Sequence, residues 1–365
     1  MIPLALPLAG PAGNLAPCSG AGCFRKDEAP KGRKKILEPK PEALVEKIKV
    51  AATAIALAGA IGTPRIATAQ TAQSDQCSLA IVSQSLGTNA RVCGTDVVEA
   101  MARRGHAFAE NQMGIASVLV LGPDYDQKKA LNWFRRAAQH GYASAQVNLA
   151  VMYLNGWGTP VNDAAALHWL RQAADQHFAR AYYNLGILYL DGRGVRQDYT
   201  EAFRWFQKGA DAGDSSAQTN LGYFYDQGVG CEGNLDRALA LYRKAAEAGN
   251  PLAQNNLADL YLRGEGVTHD DAVAFSWFQK AATQGQTGAR IKLGYMFADG
   301  RGTQKNPETA YAWITAATAA GNPRGKELLR SLEKTLTADQ LRRAQETARL
   351  LNSNQPQLSA QNFVQ

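Results

Sequence analysis

The sequence repeats itself every 36 residues between Ala107 and Asn322, without insertion or deletion. Small, leucine and aromatic residues occupy fixed places in each copy, and a G-x-G follows the aromatic residue. A fixed period of this length predicts a solenoid, in which each unit packs only on its neighbours. The columns are Ala145, Ala181, Ala217, Ala253 and Ala289; Leu149, Leu185, Leu221, Leu257 and Leu293; Tyr153, Tyr189, Tyr225, Tyr261 and Phe297.

Each copy contains two amphipathic helical patterns joined by a glycine turn. In the second copy Ala145, Leu149 and Met152 share one helical face, and Ala166 and Trp169 begin a second stripe. The first Gly of each G-x-G suits the left-handed position that ends a helix. An Asp or Asn precedes every second stripe, where its side chain caps the first free amides of a helix. This N-cap column is Asp126, Asn162, Asp198, Asn234, Asp270 and Asn306.

A tryptophan column lies within the second stripe, and only Leu241 interrupts it. Large apolar side chains at this spacing fill the space between packed helices. We therefore predict a structural role for Trp133, Trp169, Trp205, Trp277 and Trp313.

The complete pattern resembles the Sel1-like repeat, a relative of the tetratricopeptide repeat. The third copy carries it most fully, in Leu185-Gly186, Tyr189, Gly192, Gly194-Val195, Asp198, Ala202, Trp205, Lys208, Ala210 and Gly213. The resemblance implies an all-α fold, an α/α solenoid with a right-handed superhelix. It would contain about six 36-residue helix-turn-helix repeats over residues 107–322, the first of them degenerate, with a helical C-terminal cap.

The flanks of the array have helical patterns of their own. Val97, Ala102 and Gly105 stay in phase with the repeats, which indicates a half-repeat that caps the array. Thr337 and Gln340 have the spacing of a capping box, which opens a terminal helix. We therefore predict a leader and capping half-repeat over 70–106, a C-terminal helical cap over 323–351 and a disordered tail over 352–365.

The N-terminal region has the composition of two unlike pieces. Residues 1–45 are rich in Pro, Gly and Lys, which predicts disorder and is compatible with a mis-annotated start. Residues 46–69 combine a basic start, a short apolar run and an A-x-A site, the three parts of a signal peptide cleaved after Ala69. The alternative is an apolar helix in a cytoplasmic protein with a ragged tail.

Cysteine and histidine usage bears on redox state and metal binding. Cys77 and Cys93 bracket a segment outside the repeats, where they could form a disulfide in an oxidising compartment or remain unpaired. The five histidines and the cysteines lack metal-ligand spacing, so we predict no metal site and no cofactor.

The net charge of +7 is not a nucleic-acid signal. Residues 1–69 hold 10 of the 39 basic and 5 of the 32 acidic residues, so the remainder carries a net charge of only +2. Phosphate binding needs a concentrated basic stripe. We therefore expect no nucleic-acid partner, and the short apolar run predicts no stable membrane span in the mature form.

Motifs that could indicate catalysis have simpler explanations. The G-x-G loops follow helices, lack a third Gly and recur five times, so they are turns rather than phosphate loops. Ser331 and Lys334 match the S-x-x-K of penicillin-recognising enzymes, but no S-D-N or K-T-G accompanies them, and we attribute the match to chance. We predict no catalytic residue; the alternative is an enzyme that acts on cell-wall or β-lactam substrates.

Candidate partner-binding residues lie on the first helix of each repeat. An amide column could pair with an extended peptide, or each Asn could bond to the neighbouring repeat. Residues that vary between copies are candidates for specificity, and Trp157 is either a partner anchor or a cover for its loop. The candidates are Asn148, Asn184, Asn220 and Asn256, replaced by Lys292 in the sixth copy; Tyr182, Gln218, Gln254 and Arg290; Tyr223; and Trp157.

These observations predict an exported, periplasmic or secreted scaffold or adaptor without catalytic activity. It would bind a protein or peptide on the concave face that solenoids present. The resemblance implies adaptor roles that include envelope regulation in bacteria. A cytoplasmic adaptor of the same fold is the alternative.

Overall fold

The computed structural model of this protein describes residues 95–119 and 126–353. Several predicted features lie outside the described residues: the extension over 1–45, the signal peptide over 46–69, Cys77, Cys93 and the tail after Ser353.

Fifteen α-helices and one 3-10 turn, Pro323–Gly325, make up the secondary structure of those two ranges, which contain no strand. The helices are α1 Thr95–Arg103, α2 Ala107–Leu119, α3 Gln127–Gln139, α4 Ala143–Asn155, α5 Asp163–Asp175, α6 Ala179–Asp191, α7 Tyr199–Asp211, α8 Ser215–Gln227, α9 Leu235–Glu247, α10 Pro251–Arg263, α11 Asp271–Thr283, α12 Thr287–Asp299, α13 Pro307–Ala319, α14 Lys326–Glu333 and α15 Ala338–Ser353.

Helices α2 to α13 form six helix pairs, each packed on the pair before and after it. We call the even-numbered members, α2 to α12, the first helices and the odd-numbered members, α3 to α13, the second helices. All twelve have 13 residues, a length that is marginal in isolation, so the pairs depend on stacking. The predicted all-α solenoid of six repeats is confirmed.

Side chains and glycines cap the helices as the sequence predicts. The Asp198 carboxylate accepts hydrogen bonds from the N–H groups of Thr200 and Glu201 at 2.9 and 3.0 Å. The other five members of the N-cap column each accept a bond from the backbone N–H three residues ahead. Gly192 ends α6 in the left-handed conformation, at φ 69°. Both cap predictions are confirmed.

The second glycine of each loop lies against the preceding repeat. A Cβ atom at Gly194 would stand 2.8 Å from the carbonyl oxygen of Asp163, at the start of α5. Between the two glycines, the Arg193 side chain forms an ion pair with Asp163. The turn therefore ends one helix and also fixes the distance between neighbouring repeats.

The centre of each repeat is a large side chain on the second helix packed on a small residue of the first. Phe206 is fully buried, and a Cβ atom at Gly186 would stand 2.5 Å from its ring. Trp205, one residue earlier, is only half-buried and lies between Tyr182, whose ring is stacked at 5.9 Å, and the Lys208 ammonium at 4.3 Å. The fully buried column is Phe134, Leu170, Phe206, Tyr242, Phe278 and Ile314.

Both ends of the array are covered. Val98 and Ala102 of α1 pack on Ala109 at the first repeat. At the other end α15 packs on α13, where Ala312 and Trp313 are 1% and 8% exposed. The capping box forms as predicted, with Thr337 and Gln340 exchanging two hydrogen bonds. Helix α15 ends at Ser353, two residues beyond the predicted cap. None of the described helices combines the length and apolar character needed to cross a membrane.

Candidate interaction surface

The amide column lies along the first helices, where Asn220 and Asn256 are buried and Asn184 is half-buried, and its members differ in their bonds. Asn148 is fully buried and donates to Asn111 of the neighbouring repeat at 2.9 Å. Asn184 and Asn220 instead donate, each at 2.9 Å, to the carbonyl four residues earlier in their own helix, that of Arg180 and Ser216. Bonding between repeats therefore accounts for Asn148 but not for these two.

The last two members of the column are engaged locally. The Asn256 side-chain oxygen accepts a hydrogen bond from Asn255 at 3.2 Å. In the sixth repeat Lys292 forms an ion pair with Asp259 of the fifth. Burial lowers the pKa of Lys292, while Asp259 acts in the opposite direction. The polar side chains at this end of the column therefore form a hydrogen bond and an ion pair with other residues of the same chain.

The second candidate column is buried between repeats. Tyr182, Gln218, Gln254 and Arg290 are at most 9% exposed. The side chains of Gln218, Gln254 and Arg290 donate to the carbonyl eight residues earlier, near the C-terminus of the preceding second helix, at 3.1 to 3.3 Å. Side chains buried in this way offer nothing to a docked partner. The surface proposed below therefore excludes all four residues.

Arg290 has an additional role at the end of the array. Its Nη1 donates to Asn352 Oδ1 at 2.8 Å, and its Nη2 donates to the Leu351 carbonyl at 3.0 Å, both in the last turn of α15. Burial lowers the pKa of Arg290 to about 10, so the side chain is charged at neutral pH. A cation at a helix C-terminus is favourably placed for the helix dipole.

A buried carboxylate occupies the same column in the first repeat, where sequence reasoning missed it. Glu110 is fully buried, with its Oε1 paired with Arg136 Nη2 and its Oε2 in contact with His140 Nδ1, each at 2.8 Å. Arg136 in turn donates to the Ala102 carbonyl at 3.1 Å. Because a carboxylate cannot donate to a carbonyl, Arg136 supplies the donor that glutamine provides in later repeats. The sequence could have identified Glu110, because a carboxylate stands there in the column that holds Tyr182 and Gln218 in later repeats.

Tyr223 belongs to a polar cluster on the fourth repeat. It is half-buried, and burial followed by the charge of Asp226 raises its pKa. Burial also raises the pKa of Asp226, which lies 3.5 Å from the hydroxyl of the fully buried Tyr242. At neutral pH Tyr223 is an uncharged phenol that can donate or accept a hydrogen bond.

The predicted tryptophans lie in or near the core, whereas the S-x-x-K residues do not. Trp157 is half-buried and packs against the cluster of Ile115, Leu131 and Met152, and both interpretations of its role stay predictions. Trp133, Trp169, Trp205 and Trp277 are likewise half-buried, and only Trp313 is buried. Ser331 and Lys334 are exposed. Within the described ranges no cluster of His, Cys, Asp or Glu has the geometry of a metal site.

The geometry defines the class of protein as a helix-turn-helix solenoid with a polar first-helix face. A profile of the Sel1 repeat matches residues 98–142, 143–178, 179–214, 215–250, 251–286 and 288–322. The chain belongs to the Sel1 repeat family, whose members mediate protein–protein interactions.

One solved structure supports the same assignment, and a second is similar in sequence. A Sel1 repeat protein from Oxalobacter formigenes is 30% identical with a TM-score of 0.54, over 68% of this chain and 94% of that one. A protective antigen from uropathogenic Escherichia coli with the same kind of fold is also 30% identical, with a TM-score of 0.49, over 70% of this chain and 63% of that one. No curated protein matches the sequence significantly.

Proposed function

We propose that this protein is a non-catalytic scaffold that binds a protein partner on its first-helix face. The observation that carries the proposal is a pair of partly exposed polar side chains on neighbouring first helices, Asn184 of α6 and Tyr223 of α8. The amide nitrogen of Asn184 donates to a carbonyl of its own helix, and its oxygen accepts no hydrogen bond from the described residues. Tyr223 lies one helical turn beyond Asn220 and is half-exposed. This is the polar, aromatic character expected of a recognition surface.

Site-directed photocrosslinking tests the proposed face. A Tyr223→p-benzoylphenylalanine variant, irradiated in intact cells, should form a discrete adduct that mass spectrometry identifies. The matched control places the same group at Ala164, which is exposed on the second helix α5. The identified protein should then bind purified wild-type chain. Adducts of equal yield at Ala164, or none at Tyr223, would contradict the assignment of this face.

We also propose that the protein is exported, on the strength of the signal-peptide pattern over 46–69. Sequencing the N-terminus of the natural product should find Gln70 first. A chain that retains residues 46–69 and fractionates with cytoplasmic markers would establish the cytoplasmic alternative instead.

A direct assay separates the scaffold from the enzyme alternative. Wild-type protein should not be covalently labelled by a fluorescent penicillin. Labelling that a Ser331→Ala variant abolishes would replace the scaffold proposal with a penicillin-recognising activity.

A further inference from the structure

The inference rests on the proposed function and concerns a charged residue beside Tyr223. Asp226 follows Tyr223 by one turn of α8, on the same side of the helix, and is half-buried. It interrupts a column that is apolar elsewhere in the array. The other repeats have Val118, Leu154, Leu190, Leu262 and Ala298 at this place. A carboxylate in an apolar position needs a compensating group.

The chain itself does not neutralise Asp226. Its hydrogen-bond donors are uncharged: the Tyr242 hydroxyl, 3.5 Å from Oδ2, and the Gln227 side chain. No basic side chain within the described ranges forms an ion pair with it. Arg263, whose charge attracts it from a distance, is paired with Glu265 at 3.0 Å. Asp226 is therefore a half-buried carboxylate without a counter-ion.

The junction between the second and third repeats shows how a guanidinium fits beside this column. Arg193 lies between the two glycines of its loop and pairs with Asp163 of the preceding repeat at 2.5 Å. It also donates to the Leu154 carbonyl at 2.6 Å. Leu154 is the second-repeat equivalent of Asp226. An arginine from the next loop thus reaches the backbone of the column that contains Asp226.

The junction between the fourth and fifth repeats lacks that arginine. Glu265 stands at the place of the arginine, and Leu235 stands at the place of its aspartate. One junction later the pair returns, and Arg301 donates to Asp271 through two bonds of 2.8 and 3.1 Å. The loop of the fifth repeat therefore supplies no guanidinium to the region around Asp226.

The aromatic ring beside the carboxylate favours arginine over lysine. Tyr223 is half-buried, and burial followed by the charge of Asp226 raises its pKa. A guanidinium is planar, so it can bind a carboxylate while it stacks on a tyrosine ring. Arg237 makes such a contact in this chain, because its Cζ lies 5.3 Å from the centroid of the Tyr225 ring.

We infer that Asp226 and Tyr223 bind an arginine side chain of the partner, whose guanidinium pairs with the carboxylate and lies against the tyrosine ring. The partner then supplies the cation that Arg193 and Arg301 supply within the chain at other junctions. Burial raises the pKa of Asp226, so its ionised form lowers the stability of the free protein at neutral pH. A residue that lowers stability in this way is typical of a binding site.

Capped tripeptides test the inference without knowledge of the natural partner. The probe is acetyl-Ser-Arg-Ser-amide, and its control replaces arginine by citrulline, a neutral isostere. NMR titration of the purified full chain should show that the arginine peptide shifts the amide resonances of residues 223–227 at concentrations on the order of 10 mM. The citrulline peptide should bind at least about fivefold more weakly, because it cannot form an ion pair.

The protonation of Asp226 gives a second readout. A bound guanidinium stabilises the ionised carboxylate, so the arginine peptide should lower the pKa of Asp226. The side-chain carboxyl carbon resonance, followed against pH, measures this change. The citrulline peptide should leave the titration of Asp226 where it is in the free protein.

Variants then locate the bound peptide. Asp226→Asn should weaken binding of the arginine peptide by at least about fivefold and remove its advantage over the citrulline peptide. Asp236→Asn, which removes an exposed carboxylate of α9, is the matched control and should leave binding unchanged. Glu265→Gln should weaken binding, because it releases Arg263 to approach Asp226. Thermal unfolding checks that each variant is folded, and the comparison of the peptides needs no variant.

Three results would overturn the inference: equal binding of the arginine and citrulline peptides, an unchanged pKa of Asp226 with the arginine peptide, or unchanged binding by Asp226→Asn. If any of these occurs while the Tyr223 crosslink persists, the scaffold function stands and the arginine-bearing partner is rejected. Peptide binding at Asp226 without a Tyr223 crosslink would support the arginine site and contradict the proposed function.

Discussion

A matched pair of small and large residues recurs at the centre of every repeat. Gly186 lies beneath the ring of Phe206, and a Cβ atom there would come within 2.5 Å of the ring. The second repeat solves the same packing problem with Ala150 and Leu170, both fully buried. The pair, rather than either residue alone, is what the core requires, since interiors are packed to high density.

A double-mutant cycle on this pair should show coupling. Gly186→Ala should destabilise the protein by about 1–3 kcal/mol through overpacking against Phe206. In a Phe206→Leu background the same substitution should cost less or stabilise, because it recreates the Ala150–Leu170 combination. Helix propensity contributes equally in both backgrounds and cancels. Urea unfolding measures all four proteins, and equal effects of Gly186→Ala in both backgrounds would argue against the contact.

Asp226 should make the folded protein less stable as the pH rises. A salt-bridged carboxylate has the opposite effect. Burial raises its pKa in the folded state, so folding disfavours its ionised form. The resulting cost is absent below the unfolded pKa of about 3.9 and complete above the folded value. Asp226→Asn should therefore raise the melting temperature at pH 7 and have a smaller effect near pH 3.5.

The control for this prediction is Asp236→Asn, at an exposed position in the first turn of α9. Removing that charge should not stabilise the protein at pH 7, because an acidic side chain at a helix N-terminus is favourable. A melting curve for Asp226→Asn that shifts equally at both pH values would show that desolvation is not the cause.

Among the elements, the second helices depend on side chains of the following repeat to satisfy their C-termini. Gln218 and Gln254 reach back to the carbonyls of Ala210 and Ala246, so each first helix completes the helix before it. Arg290 occupies the same column as these glutamines, but it also donates to a later helix, because two of its nitrogens bind the last turn of α15. The terminal helix is therefore anchored by two hydrogen bonds from a buried cation.

Replacing that cation should loosen the terminal helix selectively. Arg290→Gln preserves a donor for the Ala282 carbonyl, as glutamine does in earlier repeats, but loses both bonds to α15. We expect a loss of about 1–3 kcal/mol. Hydrogen exchange should accelerate in residues 338–353 more than in α4 to α9. Arg342→Gln, which removes only an exposed pair with Asp339, is the control. Unchanged exchange in α15 would disprove the anchoring role.

At the scale of the whole molecule, stability follows the period of the sequence. Each repeat packs on its neighbours, so the array behaves as a sum of units and junctions. Deleting residues 215–250 joins two helix pairs that present equivalent surfaces. We expect a helical protein that still unfolds cooperatively but is less stable. Deleting residues 215–232 instead removes half a unit and should abolish cooperative unfolding, as measured by circular dichroism. Equal behaviour of the two deletions would refute modular stacking.

Much of the fold could be predicted because its determinants are local. N-caps such as Asp198 and helix-ending glycines such as Gly192 act on backbone within a few residues. The depth of the core was harder to predict. Trp205 is the most prominent residue of its helix, yet Phe206 beside it is the one fully buried. Helical periodicity does not resolve which of two adjacent large residues points inward when both lie near the stripe.

The sequence by itself determined the repeat, its length, its caps and its turns, because those follow from spacing and from short-range backbone chemistry. Only the tertiary structure decided which side chains remain available. Asn148 and Asn184 are equivalent in the repeat, but Asn148 meets Asn111 in the preceding unit, whereas Val147 stands at the matching place before Asn184. A valine offers no hydrogen bond, so Asn184 turns to its own helix and retains a free acceptor. Whether such an Asn can bind a partner therefore depends on the residue opposite it in the preceding repeat. The repeat pattern of the Asn column alone does not show which residue that is.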